Sequence, residues 1–517
     1  MNSVDGLRRF GWLLALVIGA LSAFAFEPVG LWPLMPLAFA GLIALLDRAK
    51  RLRSALAIGW CFGVGQFVTG LNWIATAFTY QAAMPAWLGW IAVVLLSLYL
   101  AVYPALATGV AWRLANGRPE ALVAGLAGAW AIAEWLRAGM FTGFAWNPAG
   151  VTLVSTPLRE VASLVGTYGL SAIVVLIGGS AWLLWLRRWK IPAAAAGAIA
   201  LLLPMGGATL LEAPAQRPIR VVQPNIGQED KWRPGLADEA FVRLDRLSRI
   251  GPAPSAPRLV FWPEVAVPEP FAILDEQRQS LPVPLPTVPR ALQSVRPGDM
   301  LATGAAAVIV SDRGLVVGNT NSVFALTGDG RLLGRYDKAH LVPYGEYLPM
   351  RPLLSKIGLS QLAPGQGDTS FGPGPRTIDL GAFGKMGVQV CYEIIFSGEV
   401  INRRDRPDFI FNPSNDAWFG RWGPPQHLAQ ARLRAAEEGM PVIRSTPTGI
   451  SAVIDANGAL LHHIPWRSAG SIDTVIPPPA AATLFARFGN VVPLFIGFLL
   501  MIAGIALGRG GGYRRGT

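Results

Sequence analysis

Three side chains that are able to catalyse acyl transfer each follow an apolar run in the sequence. Glu264 ends the run RLVFWPE, Lys338 ends RLLGRYDK and Cys391 ends MGVQVC. A carboxylate can remove the proton of a thiol, the thiolate is a strong nucleophile, and an ammonium group can stabilise an oxyanion. Together the three residue types supply the parts that acyl transfer through a thioester requires.

Other interpretations of these residues stay open at this level. Cys391 could be a small core residue of an apolar strand, Glu264 a surface acid after a proline, and Lys338 an exposed turn residue. His340 and His427 lie in the same part of the chain, so a Cys–His pair is a further alternative. The occurrence of all three residue types at the ends of strand-like runs favours the Glu–Lys–Cys interpretation.

Metal and nucleotide chemistry have no anchor in the sequence. The four histidines include no i, i+4 pair, and the two cysteines, Cys61 and Cys391, have no CxxC partner. There is no GxxxxGK[ST] motif, and no GxGxxG motif follows a strand-like run. We therefore predict an enzyme that uses no metal ion and no other cofactor.

Glu264, Lys338 and Cys391 are 74 and 53 positions apart, so tertiary structure must bring them together. Between residues 212 and 484, short strand-like runs alternate with helical ones, and Pro263 and the turn at Gly328-Asp329-Gly330 limit two of these runs. Residues at the carboxyl ends of parallel strands meet at one edge of a sheet. We predict an α/β domain with its site at that edge.

The remainder of the chain is too apolar for an ordinary soluble protein. Hydrophobic residues make up 52% of the sequence, charged residues 15%, and the mean hydropathy is +0.41. A stretch of about 20 apolar residues crosses a bilayer. Eight candidate spans lie near 10–26, 30–46, 55–78, 86–112, 120–141, 166–186, 191–211 and 488–508. We predict a polytopic α-helical membrane domain with seven spans over 1–211, a catalytic domain over 212–484, and an eighth span with a cytoplasmic tail over 485–517.

The net charge of +12 is distributed as in a membrane protein rather than in a nucleic-acid-binding protein. Fourteen basic residues against three acidic ones stand in the two terminal segments and on alternate connections between the spans. The positive-inside rule makes these connections cytoplasmic, so the catalytic domain faces the opposite side of the membrane. The first span is also compatible with a signal peptide cleaved after Ala23-Phe24-Ala25, which would leave this orientation unchanged.

Four motifs resemble the nitrilase (carbon–nitrogen hydrolase) superfamily: FWPE at 261–264, YDKAHLVPYGEYLP at 336–349, VCYEIIF at 390–396 and SNDAWFG at 414–420. With its flanking spans, the whole chain resembles the membrane-embedded branch of that superfamily, which N-acylates lipoproteins. The resemblance implies an αββα sandwich that faces the periplasm from the inner membrane of a bacterium.

The resemblance also implies substrates and residue roles. The acyl donor would be a phospholipid, usually phosphatidylethanolamine, and the acceptor would be the α-amine of an S-diacylglyceryl-cysteine lipoprotein, with no cofactor and no nucleic acid. Glu264 matches the general base, Lys338 the oxyanion lysine and Cys391 the nucleophile. Five further residues match pocket or substrate-contact positions: Glu346, Glu393, Tyr392, Trp232 and Asn321.

Two other functions remain as alternatives. One is hydrolysis of an amide or nitrile by a membrane-anchored enzyme of the same superfamily. The other is transport or scaffolding by a protein with a degenerate nitrilase domain. Intact Glu264, Lys338 and Cys391 argue against the second alternative, as does the small number of charged residues within the spans.

Residues 346–367 carry apolar side chains on a short basic segment between the lysine and cysteine motifs. We predict that this segment is an apolar arm that rests on the outer leaflet as a lid, with glycines that permit hinge motion. The alternative is a helix packed into the core of the catalytic domain.

Overall fold

The computed structural model describes residues 10–80, 85–211, 217–230, 235–251, 256–274, 287–311, 313, 315–357 and 368–509. The chain divides into two compact units. The first comprises Met1–Ala75, Trp87–Ala208 and Ala482–Thr517, and the second comprises Thr76–Ala86 and Thr209–Ala481. Hydropathy gives no sign that Thr76–Ala86, which lies between two apolar helices, belongs with the second unit.

In the described residues, helices alternate with strands only in the second unit. The α-helices, in chain order, are α1 (Gly11–Ser22), α2 (Leu34–Asp47), α3 (Leu52–Gly70), α4 (Ile74–Ala77), α5 (Leu88–Leu100), α6 (Val102–Ala115), α7 (Pro119–Gly139), α8 (Ala162–Trp185), α9 (Lys190–Met205), α10 (Leu236–Arg249), α11 (Thr287–Gln293), α12 (Arg351–Leu354), α13 (Gly423–Glu438), α14 (Leu484–Phe488) and α15 (Val491–Arg509).

Four helical segments of the first unit are long and apolar enough to cross a membrane: Leu88–Ala115, Pro119–Gly139, Pro157–Trp185 and Val491–Arg509. The pair Leu52–Gly70 and Ile74–Tyr80, bent by 48°, is a fifth candidate. Three shorter apolar helices have 10–17 residues: Gly11–Ala25, Leu34–Asp47 and Lys190–Met205. Each predicted span overlaps one of these segments, so the predicted set of apolar helices is confirmed. Length and composition alone qualify up to five spans in the described residues, rather than all eight.

Glycines allow two of the long helices to approach closely. A side chain at Gly128 of α7 would meet the main-chain oxygen of Gly497 in α15, and one at Gly504 would lie 3.1 Å from Cα of Gly125. Contact through small residues is a common way for helices to associate in lipid. Phe498 of α15 is exposed in the protein, which gives the helix an apolar surface suited to lipid.

The second unit contains two mixed β-sheets. The strands are β1 (Pro218–Gln223), β2 (Leu259–Phe261), β3 (Val267–Leu274), β4 (Met300–Val310), β5 (Val316–Thr327), β6 (Leu332–Asp337), β7 (Thr377–Asp379), β8 (Lys385–Val388), β9 (Phe409–Pro413), β10 (Val442–Ser445), β11 (Ser451–Ile454), β12 (Leu460–Ile464) and β13 (Gly470–Val475). One sheet has the order β13-β1-β2-β4-β5-β6, with β3 also paired to β4, and the other has the order β12-β11-β10-β9-β8-β7.

The two sheets pack face to face around one apolar core. Phe261 of β2 and Phe411 of β9 contact each other across the interface, with ring centroids 4.7 Å apart. On the outer face of the first sheet, Phe241 and Leu244 of α10 cluster with Val260 of β2. Helix α13 packs against β10 of the second sheet. The result is the helix–sheet–sheet–helix sandwich that the resemblance implied.

The strand directions place the predicted residues at the carboxyl ends of the strands in both sheets. Strands β1, β2 and β4 are parallel, and β6 runs the same way because β5 is antiparallel to both β4 and β6. In the second sheet β8, β9 and β10 are parallel. Glu264 follows β2, Lys338 follows β6 and Cys391 follows β8, so each lies beyond the carboxyl end of a strand.

Candidate active site

Glu264 lies in a turn that contacts β4 directly. Pro263 has no backbone N–H to donate to the ladder, and Val265 adopts a positive φ of 43°. The N–H of Gly304 in β4 donates to the carbonyl oxygen of Pro263 at 3.2 Å. A Cβ at Gly304 would lie 2.7 Å from Cα of Glu264, so only glycine leaves room for the turn. This contact fixes the position of the Glu264 backbone.

Lys338 is a buried cation held by two carboxylates. Its side chain is 1% exposed, and Nζ lies 2.9 Å from Oε2 of Glu346 and 3.5 Å from Oε1 of Glu264. Burial by itself lowers the pKa of Lys338, but the carboxylates of Glu346 and Glu264 outweigh burial and raise this pKa above its ordinary value. Lys338 therefore remains protonated over the physiological pH range.

Asn321 links the two carboxylates. Its Nδ2 donates to Oε1 of Glu264 at 2.7 Å and to Oε1 of Glu346 at 2.9 Å. Its main-chain oxygen accepts from the backbone N–H of Lys338 at 2.8 Å, because β5 and β6 are paired at this point. The structure thus brings together Glu264, Asn321, Lys338 and Glu346, which the sequence places in three separate segments.

Cys391 stands at a sharp change of direction after β8. It has a positive φ of 51°, is 5% exposed, and begins the 3₁₀ turn Cys391–Ile395. Burial and the Glu264 carboxylate raise the pKa of the Cys391 thiol well above its ordinary value, while the Lys338 cation and a hydrogen bond from the Asn415 backbone lower it. The net direction is upward, so the resting group is a thiol that requires a base.

Glu393 is buried beneath the site and joins the cysteine turn to the lysine loop. Its Oε1 accepts from the Tyr336 hydroxyl at 2.8 Å and from the backbone N–H groups of Ala339 and His340 at 2.7 and 3.0 Å. Its Oε2 accepts from the N–H of Val390 at 2.7 Å. Burial raises the pKa of Glu393, and the donated hydrogen bonds act in the opposite direction. These contacts hold the cysteine turn and the lysine loop together.

Two further residues, Tyr392 and Trp232, were predicted to contact substrate. Tyr392 is buried, and its ring packs against His340 and Phe396 with centroids 5.7 and 5.2 Å away. The His340 ring stacks on Phe396 at 3.8 Å. Trp232 lies outside the described residues.

His427 contacts the cysteine through the main chain. Nε2 of His427 lies 3.0 Å from the carbonyl oxygen of Cys391, and Nδ1 lies 2.9 Å from Oδ1 of Asp416. Both ring nitrogens thus have partners other than the thiol, which argues against His427 as the histidine of the Cys–His alternative. Sequence reasoning weighed His427 only as a partner of the thiol, noted Asp416 only as part of the SNDAWFG motif, and missed Arg444. An arginine within the apolar run PVIRS was the available signal for Arg444.

The described part of the segment after Glu346 contains one buried and two clearly exposed apolar side chains. Leu348 is buried, whereas Met350 is 66% and Leu353 is 61% exposed. Helix α12 has no buried residue. Leu359 and Leu362 of the predicted arm lie outside the described residues, as do all positions from 358 to 367. The exposed part does not pack into the core.

Among the residues that the structure describes, no group of three or more His, Cys, Asp and Glu side chains is arranged to hold a metal ion. A buried thiol, carboxylate and ammonium group, carried at strand ends of a helix–sheet–sheet–helix sandwich, define the class of enzymes with the carbon–nitrogen hydrolase fold.

The comparisons with known proteins identify the family. Residues 219–483 match the family described as Carbon-nitrogen hydrolase, and residues 18–180 match the Apolipoprotein N-acyltransferase N-terminal domain. The chain is 35% identical to an apolipoprotein N-acyltransferase of Rhodopseudomonas palustris, covering 96% of this chain and 95% of the relative. It is also 35% identical to one of Bradyrhizobium diazoefficiens, covering 94% and 93%. The chain belongs to the apolipoprotein N-acyltransferase family, and it is an acyltransferase.

One solved structure aligns with about half of the chain. The carbon–nitrogen hydrolase from Helicobacter pylori G27 aligns with a TM-score of 0.32 at 15% identity, covering 50% of this chain and 88% of that chain. The fold is shown by the two described sheets and by the family match.

Proposed function

We propose that this enzyme moves an acyl chain from a membrane phospholipid to the α-amine of the S-diacylglyceryl-cysteine of a lipoprotein, through a thioester on Cys391. The proposal is supported chiefly by one observation, the buried group of Glu264, Asn321, Lys338 and Glu346, whose carboxylate and ammonium charges act on the Cys391 thiol. Family membership supports the lipoprotein acceptor and the membrane context.

In the first half-reaction Glu264 takes the thiol proton as the sulfur attacks the ester carbonyl of the phospholipid. Lys338 and the backbone N–H of Tyr392 stabilise the oxyanion. The tetrahedral intermediate collapses, the ester C–O bond breaks, and the lysophospholipid leaves with the proton from Glu264. A thioester remains on Cys391. The raised pKa of this thiol is the reason that a base is needed.

In the second half-reaction the amine of the acceptor attacks the thioester carbonyl. Glu264 accepts a proton from the amine, the C–S bond breaks, and the thiol leaves with a proton while an amide forms. The same two donors stabilise the second oxyanion. The two substrates thus react in turn, so the kinetics are ping-pong.

Two carboxylates near one lysine allow a division of roles. Glu346 accepts from Nζ of Lys338 at 3.0 Å and from the backbone N–H of Val342 at 2.8 Å, so its carboxylate is occupied with positioning. Glu264 lies farther from Nζ, at 3.5 Å, and is held through Asn321. This arrangement supports a role for Glu346 in orienting the lysine and a role for Glu264 in moving the proton.

For the membrane arrangement we propose eight spans in the bacterial inner membrane, with both termini in the cytoplasm and residues 212–484 in the periplasm. The apolar helices and the basic residues on alternate connections support this arrangement. The membrane domain would comprise residues 1–211, and residues 485–517 would form the last span and the tail. Confinement of both substrates to the membrane raises their effective concentration at the site.

Lipid access would involve the predicted arm, residues 346–367, which includes the exposed side chain of Met350. Exposed Met350 and Leu353 stand beside Arg351 and Lys356, a combination of apolar and basic side chains that suits an anionic or zwitterionic lipid surface. Phosphatidylethanolamine is the proposed donor, and Trp232 and Tyr392 are proposed to contact substrate.

The test is to trap the thioester. Purified enzyme incubated with labelled phosphatidylethanolamine and no acceptor should carry one acyl chain on Cys391, visible by intact mass and released by neutral hydroxylamine. A diacylated lipopeptide with a free α-amine should remove the label and become triacylated. Cys391→Ala should abolish labelling, whereas Cys61→Ala should not. Label on a serine or a histidine would refute the mechanism. Release of free fatty acid in place of lipopeptide acylation would support the hydrolase alternative.

A further inference from the structure

A cluster of three fully buried polar side chains lies behind the cysteine turn. Arg444 of β10, Asp416 of the SNDAWFG motif and His427 of α13 are each 0% exposed. Nη2 of Arg444 lies 2.6 Å from Oδ2 of Asp416 and 3.0 Å from Nδ1 of His427, and Asp416 Oδ1 lies 2.9 Å from the same Nδ1. Arg444 is held in turn by Asn412, and by Ser414 at 2.9 Å.

The Nε2 atom of His427 contacts the main chain of Cys391. Nε2 lies 3.0 Å from the carbonyl oxygen of Cys391. A carbonyl oxygen only accepts, so Nε2 carries the hydrogen whether the imidazole is neutral or charged. The Asp416–Arg444 pair fixes the opposite side of the ring, so the direction of this hydrogen bond is set by buried groups rather than by solvent.

A trans peptide group is planar, and its C=O and N–H point in opposite directions. Since His427 binds the carbonyl oxygen of Cys391, the N–H of Tyr392 in the same peptide group points away from His427. A hydrogen bond accepted at the carbonyl also polarises the peptide and strengthens the N–H as a donor. The positive φ of Cys391 makes this orientation unusual for a residue with a side chain, so it has to be maintained by its surroundings.

We propose that His427 is a positioning residue that aims the Tyr392 N–H at the reacting carbonyl oxygen, with Asp416 and Arg444 holding the imidazole. The inference rests on the proposed function, in which this N–H and Lys338 stabilise the oxyanion. It gives the three buried residues a role in both half-reactions, because each passes through a tetrahedral oxyanion.

Two substitutions separate this role from simple packing. His427→Asn keeps a polar atom near the position of Nδ1, where Asp416 and Arg444 bind, and loses the reach to Cys391. His427→Gln can place its amide nitrogen near the position of Nε2 and so retain a donor to the Cys391 carbonyl. Complete loss of one oxyanion donor costs about 10²–10³-fold in kcat, and a misdirected donor should cost about 10–100-fold.

The experiment measures thioester formation from labelled phosphatidylethanolamine and, in parallel, alkylation of Cys391 by iodoacetamide, which forms no oxyanion. The His427→Asn enzyme should form the thioester about 10–100-fold more slowly with the lipid KM unchanged, while alkylation stays within about twofold of the wild-type rate. The His427→Gln enzyme should recover most of the thioester rate.

Alkylation and acylation that fall together in His427→Asn would overturn the proposal, since this would indicate a general distortion of the turn. Equal thioester rates in His427→Asn and the wild type would also overturn it. If His427→Asn does not purify folded, Asp416→Asn should also slow thioester formation, by a smaller factor, while alkylation does not slow, because the Asp416 carboxylate raises the pKa of Cys391; an unchanged rate of thioester formation there would refute the role. A wild-type enzyme that forms no thioester would count against the proposed function itself.

Discussion

Replacement of Gly304 by alanine tests whether the backbone contact between β4 and the Glu264 turn controls catalysis. The new Cβ would lie 2.7 Å from Cα of Glu264, 2.7 Å from the oxygen of Pro263 and 2.8 Å from the nitrogen of Val265. These are backbone atoms, so no side chain can rotate away. Relief to a normal contact of about 3.5 Å requires the turn to move by about 0.8 Å.

A movement of this size matters because Glu264 is placed by short hydrogen bonds. Its Oε1 accepts from Nδ2 of Asn321 at 2.7 Å, and a shift of the turn would lengthen this bond toward the limit of hydrogen bonding. Misplacement of a catalytic group by about 1 Å costs on the order of 10²-fold. The first half-reaction should therefore slow by about 100-fold, which corresponds to about 2.7 kcal/mol in the activation free energy.

The assay is the rate of thioester formation on Cys391 in a single turnover with labelled phospholipid. Gly470→Ala is the matched control, since Gly470 lies in β13 of the same sheet and its added Cβ would meet no atom closer than 3.6 Å. The control should keep the wild-type rate and melting temperature. A Gly304→Ala enzyme within threefold of the wild-type rate would refute the argument that the turn position is critical.

Three further substitutions test the charges and the arm. Glu346→Gln removes the carboxylate that raises the pKa of Lys338 most, so the alkaline fall of thioester formation should move to lower pH in a pH–rate profile. Glu264→Gln removes a carboxylate that raises the pKa of Cys391, so alkylation by iodoacetamide at neutral pH should become faster while acylation slows by about 100-fold or more. Leu353→Ser should lower the rate on phospholipid vesicles and leave the melting temperature unchanged, because the side chain is 61% exposed.

Each of these results has an outcome that contradicts it. An unchanged alkaline limb in Glu346→Gln would show that Glu264 alone maintains the Lys338 charge. Slower alkylation in Glu264→Gln would show that this carboxylate does not raise the pKa of the thiol. A large fall in the melting temperature of Leu353→Ser would favour the core-helix interpretation of the arm. Ser355→Ala in the same exposed turn serves as the arm's control.

Local patterns predicted the elements and the reactive residues at their ends. Long apolar stretches predicted the helices of the first unit, since helix formation in lipid depends on composition over about 20 residues. Alternating strand-like runs with a proline or a turn after them placed Glu264, Lys338 and Cys391 at strand ends, because strand termination is also a local property. The family resemblance then implied that Asn321, Glu346 and Glu393 belong near the site.

Contacts between distant segments could not be predicted in this way. Glu393 collects donors from residues 53 to 57 positions away, and Arg444 reaches Asp416 across 28 positions. Tyr80 packs against Trp418, with ring centroids 6.0 Å apart, and both residues belong to the second unit. None of these contacts produces a periodic pattern or a characteristic spacing in the sequence.

The sequence by itself determined the apolar helices, the strand ends and the types of reactive group, because each depends on neighbouring residues and on the chemistry of single side chains. Only the tertiary structure decided that Gly304 supports the Glu264 turn, that Glu346 rather than Glu264 is the nearer partner of Lys338, and that His427 binds the Cys391 carbonyl. Those relations arise when two sheets and their covering helices pack together, and packing depends on the shape of the whole core.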